Sequence, residues 1–385
     1  MKKVLTLLVL VALVVTMVFV SVSCQTATTE TTAAATTMAP ETTAAATTTA
    51  AAETTAPAKK FKIACSNVVV DNGWGQENMK ILNYVASTPE YKDKCDFKMY
   101  TCDATAEAQA AQIDGLILQG YDAILVCAAS ATGSNEAIKR ADEKGIIVVT
   151  YSQIADSKNC YQCQVNYPLF ASAGAKFIAE KLGGKGNVFV DRGLPGTEGA
   201  NPLYDGAIAV FKTYPGIKVA FTFDSKYTEG DTLAGVQAGL ATNPKVDGIY
   251  SQGYISPIIK ALKEANRPPA VICGYSYNGG MLDILNNPGY EAIIEHESPG
   301  SGAYALRMAL DLLEKTKDYK KGEITPLTNQ FFATDTTVNC GVKLVKLELG
   351  VNVFNDVPPN FMIPTVEESV GVTIPNSAVL VPDIK

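Results

Sequence analysis

The sequence predicts an α/β protein built from two doubly wound, Rossmann-like lobes, each a parallel sheet with helices on both faces. Three observations carry this. The chain has 385 residues, a length that favours two domains over one. Strand-like runs such as "DAILVCAA" and "IIVVTY" show no polar alternation, as expected of strands covered on both faces. Strands and helices alternate from Phe61 onward, and the same rhythm restarts after about residue 160.

In the first half, Lys62–Ser66 is a strand, Gln76–Ser87 a helix and Phe97–Thr101 a strand. "ATAEAQAAQIDGLILQG" is a helix with an apolar face and a stop at Gly120. "DAILVCAA", "NEAIKRADEKG" and "IIVVTY" continue as strand, helix and strand. In the second half "YQCQV", "GNVFVD", "IKVAFTF", "VDGIYSQ", "PAVICGY" and "YEAIIEHE" are strands. Between and after them run helices, from "PLFASAGAKFIAEKLGG" to "GSGAYALRMALDLLEKT". Beyond Asn329, "NQFFATDTT" and "VKLVKLELG" read as strands. A Pro-rich, irregular tail follows, expected to wrap over the second lobe, with no functional reading of its own.

The N-terminus sets the compartment. Lys2 and Lys3 precede an apolar run from Val4 to Val20, and "SVSC" ends at Cys24. This is expected to be a signal peptide over residues 1–24 with a lipobox-like cysteine, Cys24 being the lipidation site, although Ser21 stands where such sequences usually carry Leu or Val. Residues 25–60 are almost entirely Thr, Ala, Glu and Pro. Such a segment cannot bury a core and reads as a disordered tether spanning roughly 30–35 Å. The net charge of −7 comes without a Lys/Arg stripe, which excludes nucleic acid as a partner.

Catalytic constellations are missing. The single histidine, His296, rules against a zinc cluster and a Ser-His-Asp triad. "GWGQEN" departs from a dinucleotide fingerprint at Asn78, and "GGKG" reads as a helix end and turn. No cofactor, no metal and no enzymatic turnover are expected. Cys65, Cys127 and Cys273 read as small core residues. Cys160 and Cys163 form a C-x-x-C; they could join each other, or pair with Cys95, Cys102 or Cys340.

The run "AEAQAAQIDGLILQGYDAILVCAASATGSNEAIKRADEKGIIVVTY", followed in order by "GGKGNVFVDRGLPGTEG", "VDGIYSQ" and "VICGY", resembles the type I periplasmic binding proteins, the ribose- and galactose-binding receptors of bacterial ABC importers. The resemblance covers about residues 61–316. It implies two lobes joined by a hinge with multiple crossovers: residues 61–153 plus about 298–328 in one, and 154–297 plus about 329–385 in the other. It implies a small ligand held between lobes that close on it, by linkage of closure to binding. Lac-type repressors share the fold but carry a DNA-binding segment where this chain has its tether.

Site residues follow from the same resemblance. Asn72 and Trp74 fall in the first-strand loop, with Trp74 on the first stacking aromatic of the family and Gly75 in place of the second. Ser152 and Gln153 stand where sugar binders often have Asp-Arg. Asn201 replaces an arginine, Tyr227 keeps an aromatic, and Tyr254 follows the "VDGIYSQ" strand. Tyr275 and Ser276 match the "GFDG" region, and Glu297 falls near the last crossing. The charged anchors of a ribose pocket are replaced by neutral and aromatic groups. A larger, less densely hydroxylated or more aromatic ligand than ribose is therefore implied, such as a modified sugar, a nucleoside-like molecule or a signalling furanone. The chain is expected to be a monomeric, extracytoplasmic, lipid-anchored substrate-binding protein of an ABC importer, touching the membrane only through its anchor and delivering a sugar-like ligand to a permease. A ligand-binding sensor subunit for a chemoreceptor or kinase is the alternative.

Overall fold

The computed structural model describes residues 59–68, 73–195 and 197–380. Cys24 and Asn72 lie outside these described residues.

Strands β1 (Phe61–Val68), β2 (Cys95–Cys102), β3 (Ala123–Val126), β4 (Ile147–Tyr151) and β5 (Tyr161–Gln164) build the first sheet. β6 (Lys185–Asp191), β7 (Gly216–Phe223), β8 (Gly248–Tyr250), β9 (Val271–Tyr275) and β10 (Glu291–His296) build the second. β11 (Ile324–Pro326) returns to the first sheet, while β12 (Gln330–Ala333) and β13 (Val345–Lys346) join the second. The helices are α1 (Gly73–Ser87), α2 (Pro89–Lys92), α3 (Ala106–Leu118), α4 (Asn135–Glu143) and α5 (Tyr167–Lys181). They continue as α6 (Ala200–Lys212), α7 (Glu229–Thr242), α8 (Ser256–Glu264), α9 (Asn278–Asn286), α10 (Ser301–Glu314) and α11 (Asn376–Val379).

The strand orders are β11-β5-β4-β3-β1-β2 and β13-β12-β10-β9-β8-β6-β7. All pairings are parallel except β10 with β12. Both cores therefore repeat the 2-1-3-4-5 order of doubly wound folds. In such sheets ligands bind beyond the strands' carboxyl ends, where the order reverses. β3, β8 and β9 are buried along their whole length, which is why their sequences show no polar alternation.

Three features differ from the sequence reading. β5 pairs with β4, so the first sheet extends to Gln164, beyond Gln153. α1 begins at Gly73, not Gln76, so Trp74 sits in the first helical turn and not in a loop. The tail does not wrap the second lobe alone: Leu347, Val353 and Ile363 pack in the second lobe's core, whereas Val370, Ile374 and Val379 pack with α1 and α10 residues of the first.

All eight described cysteines are free thiols. Cys163 faces one side of the first sheet with Tyr151 and Phe170, and Cys160 faces the other with Ile124 and Val148. An odd spacing along an extended chain sends the two to opposite faces, so the C-x-x-C cannot close on itself. Burial pushes the Cys65 and Cys127 thiols up to about 12, away from nucleophilic range. No helix of the described residues is long and apolar enough to cross a membrane.

The cleft between the lobes as candidate binding site

A cavity of about 510 Å³ opens between the two sheets, within the range of small-molecule sites. Its wall is made by segments that follow strands. β1 leads to Trp74, β3 to Ala128 and Ala129, and β4 to Ser152 and Gln153. From the other lobe, β6 leads to Thr197, β7 to Tyr227, β8 to Gln252 and Tyr254, β9 to Tyr277 and β10 to Glu297. A larger hollow of about 930 Å³ lies beside the crossings, under residues 364–374. Tail residues line it together with Val165, Ser298 and Leu327 at the crossings, and none of its lining residues follows β1, β3, β4, β6, β7, β8 or β9, so it lies away from the points where the strand order reverses.

Six aromatic rings, those of Trp74, Tyr167, Tyr227, Tyr254, Tyr275 and Tyr277, are among the described residues that line the cavity. Tyr254 and Tyr277 stack at 4.3 Å with an interplanar angle of 6°. Tyr275 and Met362 complete a cluster against which Trp74 packs. Tyr167, the first residue of α5, adds another ring; α5 is capped by Asn166, whose side chain accepts from the Leu169 amide.

Polar groups converge on Glu297. Its Oε1 accepts from Ser152 Oγ at 2.7 Å, and both its carboxylate oxygens accept from the Tyr167 hydroxyl at 3.1 and 3.2 Å. Trp74 Nε1 donates to the Glu297 carbonyl at 3.2 Å, and the Gly199 amide donates to Gln153 Oε1 at 3.3 Å. The Ser152, Trp74 and Gly199 bonds tie one lobe to the other across the cleft. Burial raises the Glu297 carboxyl to about 7, opposed by the Ser152 and Tyr167 hydroxyls.

Asp191, at the end of β6, holds the second-lobe loops in place. Its carboxylate accepts from the amides of Gly193 (2.8 Å), Ser225 (3.0 Å) and Gln252 (3.0 Å), one in each loop after β6, β7 and β8. Gln252 then donates through Nε2 to the carbonyls of Asp191 and Ala200, and accepts from the Tyr227 hydroxyl at 3.4 Å. Ser152, Lys226 and Tyr227 adopt positive φ (55°, 47° and 58°), and all three line the cavity. Non-glycine residues rarely accept that conformation, and such strain gathers at functional sites.

Of the residues the sequence singled out, the structure brings Trp74, Ser152, Gln153, Tyr227, Tyr254, Tyr275 and Glu297 together in the cavity wall. Two fall elsewhere. Asn201 is exposed on α6, because the helix starts at Ala200, and Thr197 and Gly199 take the cavity wall there. Ser276 is buried behind the wall, its Oγ 2.6 Å from His296 Nδ1. The chain leaves β9 extended, so Tyr275 and Tyr277 face the cleft and Ser276 faces away. Sequence reasoning missed Tyr277, Gln252 and Tyr167. The alternation in "GYSYN" could have found the first, and the strand-end position of Gln252 in "VDGIYSQ" the second.

His296 is fully buried, bonded on one side to Ser276 and on the other to Thr365 Oγ1 at 2.9 Å. Burial lowers it to about 4, so it is neutral and committed to the fold. Among the described residues no group of three or more His, Cys, Asp or Glu side chains could hold a metal ion.

Two lobes of matching topology with a cleft at their strand ends define a ligand-capturing protein of the bilobal class. Residues 63–317 match the family described as periplasmic binding protein domain, and the chain belongs to that family. A xylitol-binding protein of Mycolicibacterium smegmatis is 29% identical over 184 residues, which are 46% of this chain and 51% of that protein. The chain thus spans about half the length of the curated relative it matches. An ABC transporter solute-binding protein of Thermobispora bispora is 26% identical, with a TM-score of 0.64 covering 70% of this chain and 84% of the other. A periplasmic solute-binding protein of Actinobacillus succinogenes with bound D-allose shares the fold, with a TM-score of 0.63 at 19% identity over 71% of this chain and 97% of the other.

Proposed function

We propose that this chain is the extracytoplasmic substrate-binding protein of an ABC importer. It captures an uncharged, sugar-like molecule in the cleft and delivers it to a membrane permease. The observation that supports this most is the character of the wall: flat rings from both lobes, interrupted by hydroxyl and amide groups, with no arginine among the described lining residues. Sugars and sugar alcohols offer apolar C–H faces to rings and hydroxyl edges to amides and hydroxyls. The relatives that take xylitol and D-allose support the same ligand class.

Among the described residues of the wall, Glu297 is the one carboxylate and Lys226 the one cation. Glu297 is already engaged by Ser152 and Tyr167, which makes it a hydroxyl acceptor and not a partner for a cationic ligand. The cavity does not call for a charge on the ligand, since desolvating a charge needs a partner. Binding without turnover, a monomeric state and anchoring through lipid-modified Cys24 belong to the same reading.

Mass spectrometry of small molecules released from freshly purified, heat-denatured protein tests it. A neutral polyol, sugar or nucleoside-like compound at near one equivalent is expected. A charged amino acid or peptide in that position would overturn the ligand class.

A further inference from the structure

The tail beyond Asn329 has no part in the reading above, yet one stretch of it stands directly behind the aromatic wall. Residues 354–361 dock on the start of α9. The Asn278 side chain donates to the Phe354 carbonyl at 2.7 Å and accepts from the Phe354 amide at 2.8 Å. The Asn278 and Gly279 amides, which follow Tyr277 directly, donate to the carbonyls of Phe361 (2.8 Å) and Pro359 (2.7 Å). The same stretch also meets the start of α1 in the other lobe. The Met362 amide donates to Glu77 Oε1 at 2.8 Å, and Glu77 lies one turn beyond Trp74.

The approach is close at both helix starts. A Cβ added at Gly73 would stand 2.5 Å from the Asn360 carbonyl oxygen, and one at Gly279 would stand 2.7 Å from Pro359 Cβ. Only glycine permits backbone contact of this kind. Between the two anchor points the Met362 side chain is fully buried in the cluster with Tyr254, Tyr275 and Tyr277, against which Trp74 packs. The ring before α9 and the ring in the first turn of α1 are therefore held by one segment that belongs to neither sheet.

We propose that Met362 and Glu77 are positioning residues of the binding site: through them the C-terminal segment fixes Trp74 against the Tyr254–Tyr277 pair and thereby sets ligand affinity. Preorganised rings lose less freedom when a ligand arrives, so loosening the support weakens binding without removing a ligand contact. This inference rests on the cleft being the ligand site.

Trp74 is the only tryptophan in the chain, so its fluorescence reports the wall directly, even without ligand. The test compares the full chain with Met362→Ala, Glu77→Ala and Met308→Ala. The last makes the same deletion at a fully buried position on α10, apart from the aromatic cluster. Glu77→Ala removes a carboxyl whose Oε2 is buried without a hydrogen-bond partner among the described residues, so it keeps the test open if Met362→Ala does not fold. Acrylamide quenching of Trp74 and calorimetric affinity for the tightest binder among xylitol, D-ribose and D-allose are measured together. Both Met362→Ala and Glu77→Ala are expected to raise the quenching constant at least twofold and the Kd at least tenfold. Met308→Ala is expected to lower Tm and change neither. If the two tail-contact variants lose Tm with quenching and Kd unchanged, Met362 and Glu77 merely stabilise the fold and the proposal is overturned. If wild type takes none of the three sugars, the sugar-binding reading fails there, while quenching of the ligand-free protein still decides the positioning role.

Discussion

Replacing Trp74 with alanine tests the wall itself. A ligand laid on one face of the indole covers roughly 80–100 Å², about half of what an aromatic ring of this size buries in full. At about 25 cal/mol per Å², that contact contributes about 2 kcal/mol. The variant also loses the Nε1 bond to the Glu297 carbonyl, which ties the first lobe to the crossing. A bond of that kind adds about 1 kcal/mol to the closed form. The contact alone corresponds to a Kd raised roughly 30-fold, and the two together to roughly 150-fold. Trp74 is only partly buried, so Tm should change little. Isothermal titration on the folded variant reads the effect. A Kd within threefold of wild type would refute the placement of the indole on the ligand.

Asp191→Asn leaves every cavity-lining residue in place, but if its remaining oxygen keeps the Gly193 and Ser225 amides, its NH2 group is turned toward the Gln252 amide, donor against donor. The structure then loses about 2–3 kcal/mol, and affinity should fall with it; an unchanged Kd would show that the loops hold without Asp191. The protein should also lose stability as pH rises. Burial raises Glu77 and Glu295 to about 8 and Glu297 to about 7, so the fold favours their protonated forms, and that advantage is lost between the usual carboxylate range and pH 8. His296, lowered to about 4, works oppositely and weakens the fold as pH falls from 6.5 toward 4. Tm should peak near the usual carboxylate pKa, at about pH 4.5, and decline up to about pH 8, less steeply in Glu295→Gln; a flat profile for wild type would contradict the burial of these carboxyls. For the thiols, a colorimetric reagent should react quickly in the native state with Cys102 alone among the eight described cysteines, since the other seven are buried. A need for reductant before all eight react in denaturant would overturn the free-thiol assignment.

The order of strands and helices was legible because parallel strands covered on both faces show no polar alternation, and β3, β4 and β9 show none. Where pairing partners decided an element, the sequence was silent. β5 carries two glutamines and a tyrosine, and it belongs to the first sheet because β4 and β11 flank it. Placement in the cavity wall was legible wherever a residue follows a strand by a short, fixed step, as Ser152, Gln153 and Tyr254 do. Asn201 and Ser276 lie outside the wall for two different reasons. α6 starts at Ala200 and leaves Asn201 exposed, and the alternation after β9 turns Ser276 inward to His296. The tail could not be read because its docking uses backbone carbonyls of Pro359, Asn360 and Phe361, which no side-chain pattern announces.

Calorimetric titration of the purified protein with a panel of sugars and sugar alcohols, set against charged amino acids, tests the central claim most directly. The account expects one neutral, hydroxylated ligand to bind at one site per chain, with a negative heat-capacity change from burial of the aromatic wall. Tighter binding of a charged amino acid, or no heat from any sugar or sugar alcohol, would contradict it.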